Sequence, residues 1–323
     1  MSKTKNPVLL SPFYQDGKPL NPLYKKFLPV IFLVLVSGTA IFGYKVIAMT
    51  GAGWLGAFLV AFSFSKIRGL RMDQSFWITG ILTSFCLPVH LPLIAIVIAA
   101  AFGQFFAKEV FGGFGANMFN PAIVGRVFIT LAFPLYFTSN WKLPQNLFSG
   151  FSSWIVDTTT GATPLMSFRA TGKIPEFTDS FLGKCGGSVC ETSAILFLII
   201  MIYMQYRKVG KFTFSYSFLI SLSLFSLAGW LISPSNVLPP HLQLTTGGIL
   251  AGAALFCTDP VTAPRNKKSQ IVSGIMLGFL VLVIRSFSTF PEGFMFSLLL
   301  VNMFSPLLDI YFSGKPEKAK EKT

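Results

Sequence analysis

The chain has 323 residues, 52% of them hydrophobic and 12% charged, with a mean hydropathy of +0.64. That leaves too little polar surface to clothe a soluble globule, so lipid is the expected solvent. The net charge of +14 would suggest nucleic acid in a soluble domain, but the basic residues sit in alternate loops between apolar runs, and nucleic-acid binding is set aside in favour of a topology signal.

In chain order, residues 1–27 form a polar, lysine-containing segment that leads into a full-length apolar span, so no cleavable signal is expected and the first span should stay in the membrane. Apolar stretches at 28–48, 52–65, 75–91, 92–107 and 122–138 make a first half (28–138), and stretches at 192–206, 213–233, 244–258, 271–288 and 294–311 make a second (192–311). The expectation is an all-α polytopic membrane protein with about ten helical crossings, several of them short for a hydrocarbon core of about 30 Å. A β-barrel is disfavoured because the runs are continuous and lack the alternation of lumen-facing strands. Between the halves lies the longest polar stretch, 139–191, rich in Gly, Ser and Thr, and a basic tail, 312–323, closes the chain. With the N-terminus in the cytoplasm, Lys25, Lys26, Lys66, Arg68, Arg71, Lys108, Arg207, Lys208, Lys211, Arg265, Lys267 and Lys268 all fall inside. Both termini are then cytoplasmic and 139–191 lies on the outer face, where a loop of that length is expected to carry function.

The halves echo one another faintly. Thr79-Gly80 and Leu87-Pro88, then Gly112-Gly113 and Asn120-Pro121, are answered by Gly247-Gly248 and Asp259-Pro260, then Pro291-Glu292-Gly293, Asn302 and Pro306. Repeats of opposite topology would place such breaks at opposite faces; the plainer reading is that Gly and Pro mark helix ends.

Polar residues near the membrane are the next candidates. Asp73 and Asp259 lie near helix ends, where capping or interface anchoring competes with a role in ion coupling. Arg126 and Arg285 flank helices; snorkelling to the headgroups is the plainer reading, neutralising a phosphate or carboxylate the alternative. Cys185 and Cys190 share the outer loop as a disulfide or as free thiols, whereas Cys86 and Cys257 fall within helices as small buried residues. His90 and His241 show no metal-ligand spacing, and no metal site is expected.

The sharpest local feature is Asp157-Thr158-Thr159-Thr160-Gly161-Ala162-Thr163-Pro164. Thr163 followed by Pro164 reads as a helix N-cap with proline at the first helical position. The Thr160-Gly161-Ala162-Thr163 run, with Asp157 ahead of it, resembles the site at which a flavin transferase esterifies FMN phosphate to a threonine hydroxyl. That site occurs in the NqrB/RnfD family, the membrane components of the sodium-pumping NADH:quinone oxidoreductase (Nqr) and of the Rnf complex. The resemblance extends over most of the chain, through Asp73-Gln74-Ser75, Phe111 to Asn117, Phe119-Asn120-Pro121-Ala122, Gly125-Arg126, Glu191-Thr192-Ser193, Thr258 to Thr262, Pro291-Glu292-Gly293 and Pro306 to Asp309. It is closer to the Rnf branch, because no long N-terminal extension is present. Thr160 stands where the family commonly has serine, Cys190 where it has glycine, and Phe13 where Rnf members often have histidine.

What the resemblance implies is a flavin-carrying component of an ion-translocating oxidoreductase in the bacterial inner membrane. Electrons would pass between ferredoxin and NAD while Na⁺ or H⁺ moves, in company with the other subunits and, during maturation, a flavin transferase. Thr163 would tether the FMN covalently without acting as an acid, base or nucleophile in turnover, and Asp157, Thr160, Gly161 and Ala162 would be read by the transferase. A non-covalent riboflavin is a further family expectation. The competing readings are an NqrB-type component of an NADH:quinone oxidoreductase and, from a different class, a channel or secondary transporter built on inverted repeats.

Overall fold

A computed structural model describes residues 22–69, 72–138, 141–142, 149–155, 160–191, 193–288, 290 and 292–313. Fourteen α-helices occur among these residues. The first five are α1 (Pro22–Phe42), α2 (Lys45–Arg68), α3 (Phe76–Phe85), α4 (Leu93–Gln104) and α5 (Pro121–Ala132). Next come α6 (Leu135–Thr138), α7 (Pro164–Thr171), α8 (Phe177–Leu182), α9 (Ala194–Tyr206) and the longer α10 (Phe212–Ile232). The last four are α11 (Pro240–Thr245), α12 (Ile249–Ala251), α13 (Lys267–Phe287) and α14 (Phe294–Ser313). α4 and α12 each continue as a wider π-helical turn, Phe105–Glu109 and Gly252–Phe256. A two-residue ladder pairs β1 (Trp141–Lys142) with β2 (Thr160–Gly161).

Among the described residues, five helices are long and apolar enough to cross a bilayer: α1 from Lys25, α2, α10, α13 and α14 to Phe312. At about 1.5 Å per residue, the 10 residues of α3 and the 12 of α5 rise only about half of a 30 Å core. These are the broken segments of the fold. The apolar run expected over 75–91 stops at Cys86, before Pro88, and the run over 122–138 stops at Phe133, before Pro134, which a helix cannot carry in its interior. The first helix pair divides at Gly43 and not near residue 50 as expected, because Gly43 adopts φ +102° in a tight reversal that a side chain would strain.

The long helices present apolar residues to their surroundings, and serines on them point inward. On α10, Ile220, Leu224 and Leu231 are exposed, while Ser215, Ser221 and Ser226 are buried. Those serines donate to the Ala253, Gly274 and Leu238 carbonyls at 2.7, 2.9 and 2.8 Å. Such an arrangement suits a lipid solvent, where small residues and serine hydroxyls hold helices together. In the first half α2 packs along α3 and α4; in the second α10 packs along α13, and α5 and α14 close against α4 and α13. Arg68, at the end of α2, meets Glu109 beyond the end of α4, and Lys108 lines one cavity with Gly210, just ahead of α10. α2 and α4 therefore run toward the end of the bundle from which α10 departs, as repeats of opposite topology require.

Candidate functional site

At one end of the bundle the chain builds the segment singled out by its sequence. Trp141 pairs with Gly161 and Lys142 with Thr160, and Trp141 is buried against the rings of His90 and Phe137. The ladder delivers the chain to Thr163, which has extended backbone (φ −64°, ψ 157°) and caps α7, its hydroxyl accepting from the Met166 amide at 3.3 Å. The N-cap read from Thr163-Pro164 is therefore present. Gly161 is half-buried, Ala162 exposed and Thr163 buried, with 6% of its surface accessible. Asp157 lies outside the described residues, as does the side chain of Thr160. α7 is held in place on both sides. Leu165 and Phe168 pack on Leu238 and Leu242, and Arg169 donates to the carbonyls of Ser288 and Arg285 at the end of α13.

Beside the first turn of α7 opens a cavity of about 320 Å³. Phe137, Trp141, Phe290 and Phe296 give its wall four aromatic rings, with Met166 three residues beyond Thr163 and with Arg126 and Glu292 as its charged members. Volume and lining are those of a small-molecule seat. An anion at Thr163 would meet the N–H groups and positive dipole end of an eight-residue helix. A planar ring reaching from it would find stacking faces and one cation. The residues present fit a phosphate-linked aromatic cofactor.

Arg126 does not snorkel. It is 2% exposed and heads a buried ion network. One of its terminal nitrogens meets Glu191 Oε1 at 2.5 Å and also Glu292 Oε2; the other donates to the Cys86 carbonyl and to Ser188 Oγ at 3.3 Å. Arg285, 4% exposed, is spent differently. Its Nε donates to the Glu292 carbonyl at 2.9 Å, and its terminal nitrogens donate to Gln243 Oε1 at 3.1 Å and to the Thr246 carbonyl at 3.0 Å. Glu292 lies in the break between α13 and α14; burial, aided by the nearby Glu191 and opposed by Arg126, pushes its carboxyl up to about 8.

The opposite end of the bundle carries Asp73 and Asp259. Asp73 pairs with buried Lys108 at 2.6 Å and accepts from the Ser75 amide at 3.1 Å. Burial works against its ionisation, but Lys108 and Ser75 outweigh it and hold the carboxyl below its ordinary value. The π turn that ends α4 sets Lys108 and Glu109 inward, and Glu109 takes Arg68 at 3.0 Å. Asp259 accepts from the Val261 amide and the Thr262 hydroxyl, both at 3.0 Å, and from Asn120 Nδ2 at 2.9 Å. Burial raises its carboxyl above the ordinary value in spite of those bonds. Asn120 in turn caps α5, so the Asn-Pro break of one half is joined to the Asp-Pro break of the other. The two acids thus share an end and line or flank one small cavity of about 100 Å³.

The cysteines are all free thiols, and their spacing along the chain does not give their neighbours. Cys190 lies beside Cys86 and is not paired with Cys185, whose thiol burial pushes up to about 12 with help from Glu191 and Asp179. Glu191 and Glu292 are visible in the sequence only as members of short motifs. Their convergence on Arg126 has no local signal, because Arg126 and Glu292 are 166 positions apart.

The profile of the "NQR2, RnfD, RnfE family" matches residues 8–318. Among curated relatives, a protein of Alcanivorax borkumensis, named as the D component of an ion-translocating oxidoreductase complex, is 34% identical over 267 residues, covering 77% of this chain and 78% of the relative. Proteins of the same name from Escherichia coli O9:H4 and Shigella boydii serotype 18 are 29% and 30% identical over 275 residues, each covering 76% of this chain and 78% of theirs.

Proposed function

The chain belongs to the NQR2, RnfD, RnfE family, and from that premise we propose that it is the RnfD component of an Rnf-type ion-translocating oxidoreductase complex and carries FMN covalently on Thr163. The observation that carries the flavin reading is the juxtaposition of Thr163, capping α7, with the aromatic cavity that Met166 lines. The flavin, when bound, supplies one- and two-electron transfer; the chain supplies position and electrostatics. The first turn of α7 would hold the phosphate, Phe137, Trp141, Phe290 and Phe296 would confine the ring and exclude water, and Arg126 would stand at its edge as the cation of the cavity wall. Because Thr163 is buried once α7 has docked, the transferase has to act while the segment stands open. Asp157, Thr160, Gly161 and Ala162 are then its recognition elements.

In this reading the end bearing Lys66, Arg68, Lys108, Arg207, Lys211 and Arg265 faces the cytoplasm, and Thr163 faces outward across the bacterial inner membrane. Asp73 and Asp259, at the cytoplasmic end, are the candidates for handling Na⁺ or H⁺. The chain works with companion subunits and is inactive alone, since an outer-face flavin has no route of its own to cytoplasmic NAD. A non-covalent riboflavin belongs to the same reading without assigned residues. An NqrB-type component would share all of these parts.

A denaturing gel tests the proposal. Chain coproduced with a flavin transferase should give a fluorescent band that survives boiling and is lost in Thr163→Ala. An unlabelled chain that moves solute by itself would instead establish the channel or transporter reading.

A further inference from the structure

Two carboxylates and one guanidinium nitrogen meet at the edge of the aromatic cavity. Arg126, from α5, contacts Glu191 Oε1 at 2.5 Å and Glu292 Oε2 through the same terminal nitrogen. Both oxygens lie on that one nitrogen, so the two buried carboxylates are neighbours in contact with a single cation. Arg285, from α13, is the second cation nearby, but its side-chain nitrogens are directed at the Glu292, Gln243 and Thr246 carbonyls and the Gln243 amide oxygen. The Ser188 amide donates to Glu191 at 3.3 Å, the Cys86 and Cys190 thiols lie near Arg126, and Cys185 lies near Glu191. Arg169, on α7, reaches the backbone of α13 without touching either acid.

Arg126 is the cation in contact with both acids, and one guanidinium charge balances only one of two buried carboxylates. Buried like charges at such separation do not both ionise, as paired carboxylates in acid proteases illustrate. We infer that Glu191 and Glu292 form a single proton-binding site, charged and discharged from the cavity that Glu292 lines. The pair holds one proton on two carboxyl groups beside Arg126. Together with Arg285 the cluster then carries a net positive charge toward the cavity, and it gives up the proton when that charge is no longer balanced by an anion there. The step forms or breaks only an O–H bond; the proton comes from water at that end of the bundle, and no electron enters the pair. The site itself stands on the geometry of the chain. What its proton answers to, electrons arriving on a ring in the cavity, rests on the flavin reading above.

Infrared spectroscopy of the full chain produced without a flavin transferase tests the site independently of flavin attachment. A carbonyl stretch of a protonated carboxyl group should be present at neutral pH, shift in D₂O and vanish as the pH is raised. Because the proton is shared, the band should be lost both in Glu191→Gln and in Glu292→Gln. Absence of a band in the parent chain, or its survival in either variant, would overturn the inference; the parent titration needs no substitution to be read. In flavin-loaded chain, the pH dependence of the flavin midpoint potential should flatten in Glu292→Gln. An unchanged slope would overturn the coupling while leaving the proton site to the infrared result.

Discussion

At the scale of single residues, Thr163 has two separable duties, as an acceptor hydroxyl and as the cap of α7. Thr163→Ser should keep both, giving a labelled protein of unchanged stability. Thr163→Ala should lose the label and also about 1 kcal/mol of cap energy, read as a lowered thermal midpoint even in chain never exposed to a transferase. Lys108 offers a sharper energetic contrast. Its side chain is 2% exposed against 22% for Asp73, so Asp73→Asn leaves a buried ammonium without its counter-ion and should cost about 3 kcal/mol; adding Lys108→Met should recover part of that loss. Detergent-unfolding midpoints of the parent and both variants measure these effects. For Glu292 the sign with pH is fixed by its raised value. Between its ordinary 4.5 and about 8 the folded chain keeps a proton that the unfolded chain has lost, so stability falls as pH rises through that window. Glu191, held low by Arg126 against its burial, contributes stability that is lost only as the pH falls below the same 4.5. A thermal midpoint that declines across the upper window in the parent and less steeply in Glu292→Gln would agree with this.

The residues legible in sequence are those whose chemistry is local. Thr163 and Pro164 are adjacent, and a cap needs nothing beyond the next three amides. Arg126, Glu191 and Glu292 come from three distant elements and become a site only when helices pack. Nothing short of the fold could separate a buried arginine from a snorkelling one, and Cys86 meeting Cys190 has the same cause.

At the scale of elements, close helix approach is the controlling feature. A Cβ built on Gly278 of α13 would lie 2.2 Å from Ser221 Oγ and 2.8 Å from the Leu222 amide of α10, so these two long helices touch backbone to backbone. Gly278→Val should therefore push them apart and cost about 2 kcal/mol, seen as a lower unfolding midpoint with flavin attachment retained. Hydropathy located the apolar segments because lipid-facing residues such as Ile220 and Leu224 betray them regardless of packing. It misplaced the end of α1 because composition continues unchanged across Gly43, and the reversal there depends on a backbone conformation and on the Ser153 and Trp154 carbonyls that receive the Tyr44 and Lys45 amides. It also could not foresee the two π turns, which arise where the buried Lys108-Glu109 pair and the Gly252–Phe256 segment have to be turned inward.

For the whole molecule, the two ends differ in charge and in chemistry: a basic end with Asp73, Asp259 and their partners, and an end with Thr163, the aromatic cavity and the Arg126 network. Single cysteines placed at Lys173 and at Lys268, in a chain with its native cysteines replaced, should react oppositely with a membrane-impermeant thiol reagent on intact cells. Position 173 should label and position 268 should not; the reverse pattern would invert the proposed orientation. The most direct measurement is mass spectrometry of the peptide spanning Thr160 to Arg169 from chain matured with its transferase in the native membrane. This peptide should carry the mass of FMN less water, with fragmentation locating it on Thr163. The same peptide recovered bare, or modified at another hydroxyl, would contradict the covalent flavin at that position.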